Sequence, residues 1–386
     1  MDVKRVVARL ASAVAVLCVA ATGVVVTPST AFAACDAESR DEPMPQKPWP
    51  LVRLQPERVW PLTTGEGVTV AVIDSGVGEH PILDGQVIDA YDFTEDGAGP
   101  RCDLASHGTL VAGIIAGKAT GESPFHGIAP GAKILSYRVI ESLESSGRDS
   151  TVPVVNAINQ AVEEGADVIN LSLTAIHTTA LKNAIANAHD EGVVVVAAAG
   201  NSGATGGKEY PAAYETVIAV AGIGPDGGHV DTSSIRDYVD IAAPGTEIDG
   251  PAPEGGGYGR REEGGTSFAA PYVSATAALL LERFPDLTPD EVAHRLTVTA
   301  NHPPEGWNEI VGHGEVDPYR AVTTVLAEVE DRFAAPPMAP VAADDPGRAM
   351  RMRAMVLTIC AIGLVVLFMC AKVIVPRGRS RRWRAG

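Results

Sequence analysis

The sequence predicts an α/β domain built on a mainly parallel β-sheet with helices on both faces. Short apolar runs rich in β-branched residues alternate with stretches of helical spacing, and no long repeat interrupts them. Apolar residues make up 46% of the 386 residues, which is enough to bury a large core. Apolar runs of this kind are typical of strands buried on both faces, as in a parallel sheet covered by helices.

The strands and helices can be placed along the chain from their patterns. Strands are predicted over residues 68–74, 133–140, 166–173, 192–200 and 216–223. Helices are predicted over 153–165 and 179–192, because both segments have helical spacing and end in glycine. Thr288, Pro289 and Glu291 form a capping box, which predicts the start of a later helix.

The first 33 residues have the pattern of a secretory signal peptide. Three basic residues precede an apolar run over residues 10–26, and Ala31 and Ala33 give the small residues of a cleavage site. The alternative is an uncleaved anchor helix, but the apolar run is short and a cleavage site follows it. Residues 1–33 are therefore predicted to be removed on export.

A second membrane segment is predicted near the C-terminus. Residues 354–371 contain one polar side chain, Thr358, and the span is predicted over 354–375. More basic residues follow this span than precede it, so the positive-inside rule places the tail, 376–386, in the cytoplasm. A Pro/Ala-rich tether over 334–353 joins the span to a globular domain over 61–333, which an N-terminal extension over 34–60 precedes. The chain is predicted to be a single-pass type I membrane protein.

Charge and residue spacing exclude some function classes. Residues 34–347 contain 18 Lys and Arg against 47 Asp and Glu, a net charge of −29 compared with −18 for the whole chain, which argues against a nucleic-acid partner and keeps the domain soluble. The histidines and cysteines lack the spacing of metal ligands, so no catalytic metal is expected, and no dense run of oxygen ligands suggests calcium.

Two cysteines, Cys35 and Cys102, are predicted to face the oxidising side of the membrane. Two cysteines in a secreted domain usually pair, so a disulfide between them is expected, joining the extension to the segment before His107. The alternative is that Cys35 is a lipoprotein cysteine, because the string "FAAC" has the small residues of a lipobox. Phe32 stands where leucine is usual in that signal.

Four residues in separate segments could form a site for acyl transfer. Asp74 closes a predicted strand, His107 precedes an apolar helix, and Ser267 follows two glycines and opens another helix. Acyl transfer needs a carboxylate to orient an imidazole, an imidazole to deprotonate a serine, and N–H donors for the oxyanion. Asn201 ends a buried strand and could add its side-chain amide to those donors. Taken singly, each residue also fits an ordinary turn or helix start, so the prediction depends on the combination.

The strings that carry these residues resemble those of the subtilisin-like serine proteases. "AVIDSGV", "SHGTLVAGIIAG", "AAAGNSG" and "GGTSFAAPYVSATAALLL" occur in the same order within residues 65–325. The resemblance implies a three-layer α/β fold, a triad of Asp74, His107 and Ser267, and Asn201 in the oxyanion hole. It also implies hydrolysis of peptide bonds without a cofactor and a cis bond before Pro211.

The same resemblance places a substrate-binding segment at the end of the third predicted strand. In such proteases this segment pairs with an extended peptide, so the backbone gives affinity and side-chain pockets give selectivity. The segment consists of Asn170, Leu171, Ser172, Leu173, Thr174 and Ala175. Thr174 and Ala175 stand where many subtilases have two glycines, so small residues are predicted before the scissile bond.

The architecture resembles one branch of these proteases, the mycosins, which are membrane-anchored subtilases of actinobacterial type VII secretion systems. Only about forty residues separate Ala33 from Asp74, too few for a prodomain with its own core. The tether, the C-terminal span and the two cysteines complete the resemblance. It implies protein substrates, the secretion complex as partner and the cell membrane as location. The alternatives are a surface-anchored degradative subtilase and a structural subunit whose proteolysis is dispensable.

Overall fold

The computed structural model describes residues 35–37, 42–121, 123–141, 151–326 and 348–380. The chain falls into two units, Met1–Thr324 and Val325–Gly386. The predicted signal peptide, most of the predicted tether and residues 381–386 of the predicted tail lie outside the described residues.

A seven-stranded sheet forms the centre of the first unit. Its strands are β1 (Thr69–Asp74), β2 (Val87–Asp92), β3 (Lys133–Arg138), β4 (Val168–Leu171), β5 (Val194–Ala198), β6 (Val217–Ile223) and β7 (Ile241–Pro244). The spatial order is β2-β3-β1-β4-β5-β6-β7, and every neighbouring pair is parallel. The order reverses at β1, so a crevice opens at the carboxyl ends of β1 and β4, where sites form in open α/β sheets. Two further strands, β8 (Ile248–Pro251) and β9 (Tyr258–Arg261), make an antiparallel pair.

Helices cover both faces of the sheet. They are α1 (Trp49–Leu54), α2 (Gly108–Ala116), α3 (Val152–Glu163), α4 (Thr179–Asp190), α5 (Thr266–Arg283), α6 (Pro289–Val298) and α7 (Pro318–Thr323). Val70 and Val72 of β1 belong to the core shared with α2, α5 and α6. Ala71 and Ile73 belong to the opposite core, shared with α3 and α4. The alternation of side chains along β1 therefore confirms the predicted three-layer fold.

The predicted start of α6 is confirmed in detail. The Glu291 N–H donates to Thr288 Oγ1 (3.3 Å), and the Thr288 N–H donates to Glu291 Oε2 (2.9 Å). Pro289 occupies the first helical position, where a missing N–H does no harm.

The N-terminal extension is part of the packed domain. Leu51, Leu54 and Val59 are buried in the core that also contains α5. The Trp49 indole N–H donates to the carbonyl of Thr246 at 3.1 Å. Burial of three aliphatic side chains stabilises this packing by several kcal/mol at roughly 1.5–3 kcal/mol each.

Cys35 and Cys102 form a disulfide, with their Cα atoms 5.4 Å apart. The pairing predicted from the sequence is confirmed. The lipoprotein alternative is wrong, because the Cys35 sulfur is already bonded and cannot carry a lipid thioether.

The second unit contains one long helix, α8 (Arg348–Ser380). Its segment Met350–Ser380 has 31 residues and a mean hydropathy of 2.7, and by length and composition it could cross a membrane. The predicted span, 354–375, lies within it.

Candidate active site

Asp74 and His107 are in direct contact at the carboxyl edge of the sheet. Asp74 ends β1 and is completely buried, and His107 lies at the residue before α2. His107 Nδ1 lies 2.7 Å from Asp74 Oδ1. Because a carboxylate only accepts hydrogen bonds, Nδ1 carries the proton, which leaves Nε2 of a neutral imidazole as an acceptor.

Ser267 meets the other side of the same imidazole. It is the second residue of α5, and its Oγ lies 3.0 Å from His107 Nε2. The turn before α5 needs glycine, because Gly265 has a φ of +151° and a Cβ there would lie 2.9 Å from the Asn201 amide nitrogen. The turn thus brings the serine, the imidazole and the asparagine into one crevice.

Asn201 follows β5, and its side chain has a fixed orientation. Its Oδ1 accepts hydrogen bonds from the Thr266 N–H (2.9 Å) and from Thr266 Oγ1 (3.1 Å). The amide nitrogen therefore faces away from Thr266 and remains available as a donor. Together with the N–H groups that begin α5, it can stabilise a negative oxygen next to Ser267.

A second buried carboxyl group, that of Asp103, is linked by hydrogen bonds to Asp74 and His107. The Ser75 N–H donates to Asp74 Oδ1 (2.7 Å), and Ser75 Oγ donates to Asp103 Oδ1 (2.7 Å). Asp103 also accepts from the backbone N–H groups of His107 (3.2 Å) and Thr109 (2.8 Å). Sequence reasoning missed this residue, although its position shortly before His107 was a possible signal.

A comparison with known protein families identifies the family of this chain. The sequence profile of the Subtilase family matches residues 65–314, which include all four residues of the crevice. The chain belongs to the subtilase family. It is thus a member of a family of serine endopeptidases.

This subtilase is similar to several characterised proteins. It is 39% identical over 267 residues to the Thermophilic serine proteinase of Bacillus sp., covering 68% of this chain and 64% of that protein. It is 36% identical over 334 residues to Mycosin-4 of Mycobacterium tuberculosis, covering 76% of this chain and 72% of that protein. A solved structure, described as the serine protease MycP1, an essential component of the type VII (ESX-1) secretion system, is 33% identical with a TM-score of 0.64. That match covers 76% of this chain and 93% of MycP1.

In this subtilase, burial and the neighbouring charge of Asp74 have opposite effects on the pKa of His107. Burial lowers the pKa of His107, but the charge of Asp74 and its hydrogen bond outweigh this and raise that pKa above the usual value. Burial raises the pKa of the Asp103 carboxyl, against the hydrogen bonds from Thr109 and Ser75. Arg261 of β9 contacts the segment just before His107, where it donates to the carbonyls of Ala105 (3.2 Å) and Ser106 (2.9 Å).

The side chains of the predicted substrate-binding segment mostly face inward. Asn170 is buried, donating to Ser172 Oγ (2.9 Å) and accepting from Ser274 (2.8 Å). Ser172 Oγ donates to the carbonyl of Ser267 (2.6 Å), so these side chains hold the start of α5. Leu171 and Leu173 are buried in the core, whereas Thr174 and Ala175 are partly exposed.

The C-terminal end of this segment contacts the turn that contains Tyr210 and Pro211. The Ala175 N–H donates to the carbonyl of Tyr210 (2.7 Å), and the two residues form an antiparallel bridge. The bond between Tyr210 and Pro211 is cis, as predicted. Sequence reasoning missed the contacts of the residue before Tyr210, Glu209, which lies partly buried next to the crevice.

Proposed function

We propose that this chain is a membrane-anchored serine endopeptidase, the mycosin component of a type VII secretion system, which processes secreted proteins and stabilises the secretion complex. One observation carries the proposal for the activity: His107 lies between Asp74 (2.7 Å) and Ser267 (3.0 Å) with both ring nitrogens in hydrogen-bond range. This is the geometry that a serine needs to act as a nucleophile.

The proposed reaction runs through an acyl-enzyme. Ser267 Oγ attacks the scissile carbonyl carbon while its proton passes to His107 Nε2, and Asp74 stabilises the imidazolium. The carbonyl oxygen becomes negative and accepts hydrogen bonds from the Asn201 amide and the Ser267 N–H. His107 then gives the proton to the leaving amine. Water, deprotonated by the same imidazole, releases the acyl group and restores Ser267.

The substrate is proposed to be an extended peptide. The backbone of the segment from Asn170 to Ala175 would pair with it at the mouth of the crevice, in the way that a strand adds to a sheet. Asn170 and Leu171 already pair with β1 and β5 within the sheet, and the Ala175 N–H is bonded to Tyr210, so the pairing would use Ser172, Leu173 and Thr174.

The proposed location follows from the second unit and from the relatives. Helix α8 would be the anchor, with the domain outside the cell membrane and the basic tail in the cytoplasm. The proposed partner is suggested by the printed descriptions of Mycosin-4 and MycP1. The domain's acidic character gives no support for a nucleic-acid partner.

The test is the variant Ser267→Ala. We expect it to keep the fold but to lose both peptide hydrolysis and labelling by a fluorophosphonate, whereas Ser123→Ala, changed outside the crevice, should be labelled like the wild type. Labelling of Ser267→Ala at the wild-type level would contradict the assignment. Secretion measured in cells carrying Ser267→Ala, compared with cells lacking the chain, separates the proteolytic role from the stabilising one.

A further inference from the structure

The carboxylate of Glu209 lies against the wall of the crevice. A Cβ added at Gly200 would overlap Glu209 Oε2, so the carboxylate fills the space over Gly200 that a side chain would otherwise occupy. Gly200 also has a φ of +104°, which favours glycine. Asn201 is the next residue, so this carboxylate contacts the backbone directly before the asparagine proposed for the oxyanion hole.

Ser234 holds this carboxylate, and Tyr238 holds the backbone of Glu209. The Ser234 N–H donates to the carbonyl of Gly200 (3.0 Å), and Ser234 Oγ donates to Glu209 Oε2 (2.7 Å). Tyr238 donates its hydroxyl to the carbonyl of Ala199 (3.0 Å) and accepts the Glu209 N–H (3.2 Å). The position of the carboxylate is thus fixed before any ligand binds, which reduces the entropy lost on binding.

Glu209 has no cationic partner within the part of the chain that the structure describes. None of the ion pairs found there includes it, and its second oxygen, Oε1, has no hydrogen bond there. Arg236, which reaches Ser202, instead donates to the backbone carbonyls of Gly203 (3.0 Å) and Gly207 (2.9 Å). A partly buried carboxylate without a counter-ion is unfavourable, and a cation supplied by a ligand would form the missing ion pair.

The end of the predicted substrate-binding segment lies close to Glu209 along the chain. The Ala175 N–H donates to the carbonyl of Tyr210 (2.7 Å), the residue after Glu209, while the Glu209 carboxylate lies against Gly200. A peptide that pairs with this segment, with its carbonyl between Ser267 Oγ and the Asn201 amide, would direct the side chain of that residue into the space between Thr174, Ala175 and Gly200, called the slot below. A long unbranched side chain with a cation at its end would reach the Glu209 carboxylate there.

We propose that Glu209 makes this enzyme select lysine or arginine immediately before the scissile bond. The inference rests on the proposed peptidase function and names its substrate class. The prediction of small residues from Thr174 and Ala175 considered the sides of the slot alone, whereas Glu209 adds a negative charge at its end. The negative charge of the whole chain, −18, also favours the approach of basic peptides.

The first test compares fluorogenic peptides that differ only in the residue before the cleaved bond: arginine, lysine, norleucine or alanine. With the full chain in detergent micelles, we expect kcat/KM for lysine or arginine to exceed that for norleucine by roughly 10- to 100-fold, the value of a charge-assisted contact. Glu209→Gln should bring that ratio close to one, and the control Glu215→Gln, which removes an exposed carboxylate, should leave the ratio unchanged. Faster cleavage after alanine or norleucine in the wild type would overturn the inference.

The second test needs no catalysis. We expect p-aminobenzamidine, a cationic probe, to bind Ser267→Ala and to bind the double variant Ser267→Ala, Glu209→Gln at least about tenfold more weakly. Equal affinity for the two proteins would overturn the inference even if fluorophosphonate labels the wild type. If the wild type is not labelled, the proposed function fails, and a Glu209-dependent affinity for the probe would still support the cation-binding slot.

Discussion

At the residue scale, the state of His107 depends on one buried contact. Burial alone would lower its pKa and favour the neutral imidazole, but Asp74, at 2.7 Å, raises that pKa above the ordinary value. The neutral form is the one that can accept the Ser267 proton. Activity should therefore be lost as the pH falls through the raised pKa of His107, and the acid limb of the profile reports this contact directly.

The variant Asp74→Asn tests this contact. Without the carboxylate charge, burial lowers the pKa of His107, so the acid limb of kcat/KM should move to lower pH. The amide can also hold the ring in the wrong tautomer, so kcat should fall by a factor on the order of 10⁴. Profiles of kcat/KM against pH for both proteins measure both effects, and an acid limb at the same pH in the variant would contradict the assignment of Asp74.

The sequence reveals a site residue when its position in a strand or helix marks it, and does not reveal one whose role depends on a tertiary contact. Asp74, His107, Asn201 and Ser267 each lie at or just after the end of a strand or at the start of a helix, and such positions are visible in the sequence. The role proposed for Glu209 depends on its contact with Gly200, which only the folded chain creates. A lone glutamate before Tyr-Pro has no local signal for that contact.

At the element scale, the predicted strands were those buried on both faces. All five are present, with ends within a few residues of the prediction. Strand β2 was missed because it lies at the sheet edge and mixes polar and apolar residues, with Ile88 54% exposed. Strands β7, β8 and β9 have only four residues each, too short for a periodic pattern to stand out.

The C-terminal end of α5 holds the chain that leads into β1. Glu282 Oε2 accepts hydrogen bonds from Thr63 Oγ1 (2.8 Å) and from the N–H groups of Thr64 (2.7 Å), Gly65 (2.5 Å) and Glu66 (2.8 Å). Glu282→Gln should lower the free energy of unfolding by about 1–3 kcal/mol, because a neutral amide accepts these bonds less strongly.

Urea unfolding of the full chain measures this effect. Glu263→Gln, which removes an exposed carboxylate, is the matched control and should change the free energy of unfolding little. Equal midpoints for Glu282→Gln and the wild type would show that these hydrogen bonds contribute nothing to stability.

At the scale of the whole molecule, the N-terminal extension belongs to the folded domain. Cys35 is bonded to Cys102, and Leu51, Leu54 and Val59 lie in the main core. Removing the extension would expose these side chains. We therefore predict that the enzyme works with the extension attached and does not remove it by self-cleavage.

Sequencing of the mature N-terminus tests this prediction. Wild type and Ser267→Ala, both isolated from membranes, should begin at the same residue, near Ala33 or Ala34, because signal peptidase sets that end in both. A wild-type chain beginning within residues 52–62, beside a longer Ser267→Ala chain, would instead demonstrate autoprocessing.

Helix α5 acts mechanically as a strut through the domain. It has 18 residues, so it is about 27 Å long. Ser267 lies in its first turn and Glu282 in its last, and buried side chains line most of its length. A close-packed helix resists bending and compression. A load applied to residues 63–66 would therefore reach Ser267 only as a displacement of the whole helix, and Ser267 would keep its distance from His107 as long as α2 and β1 move together with α5.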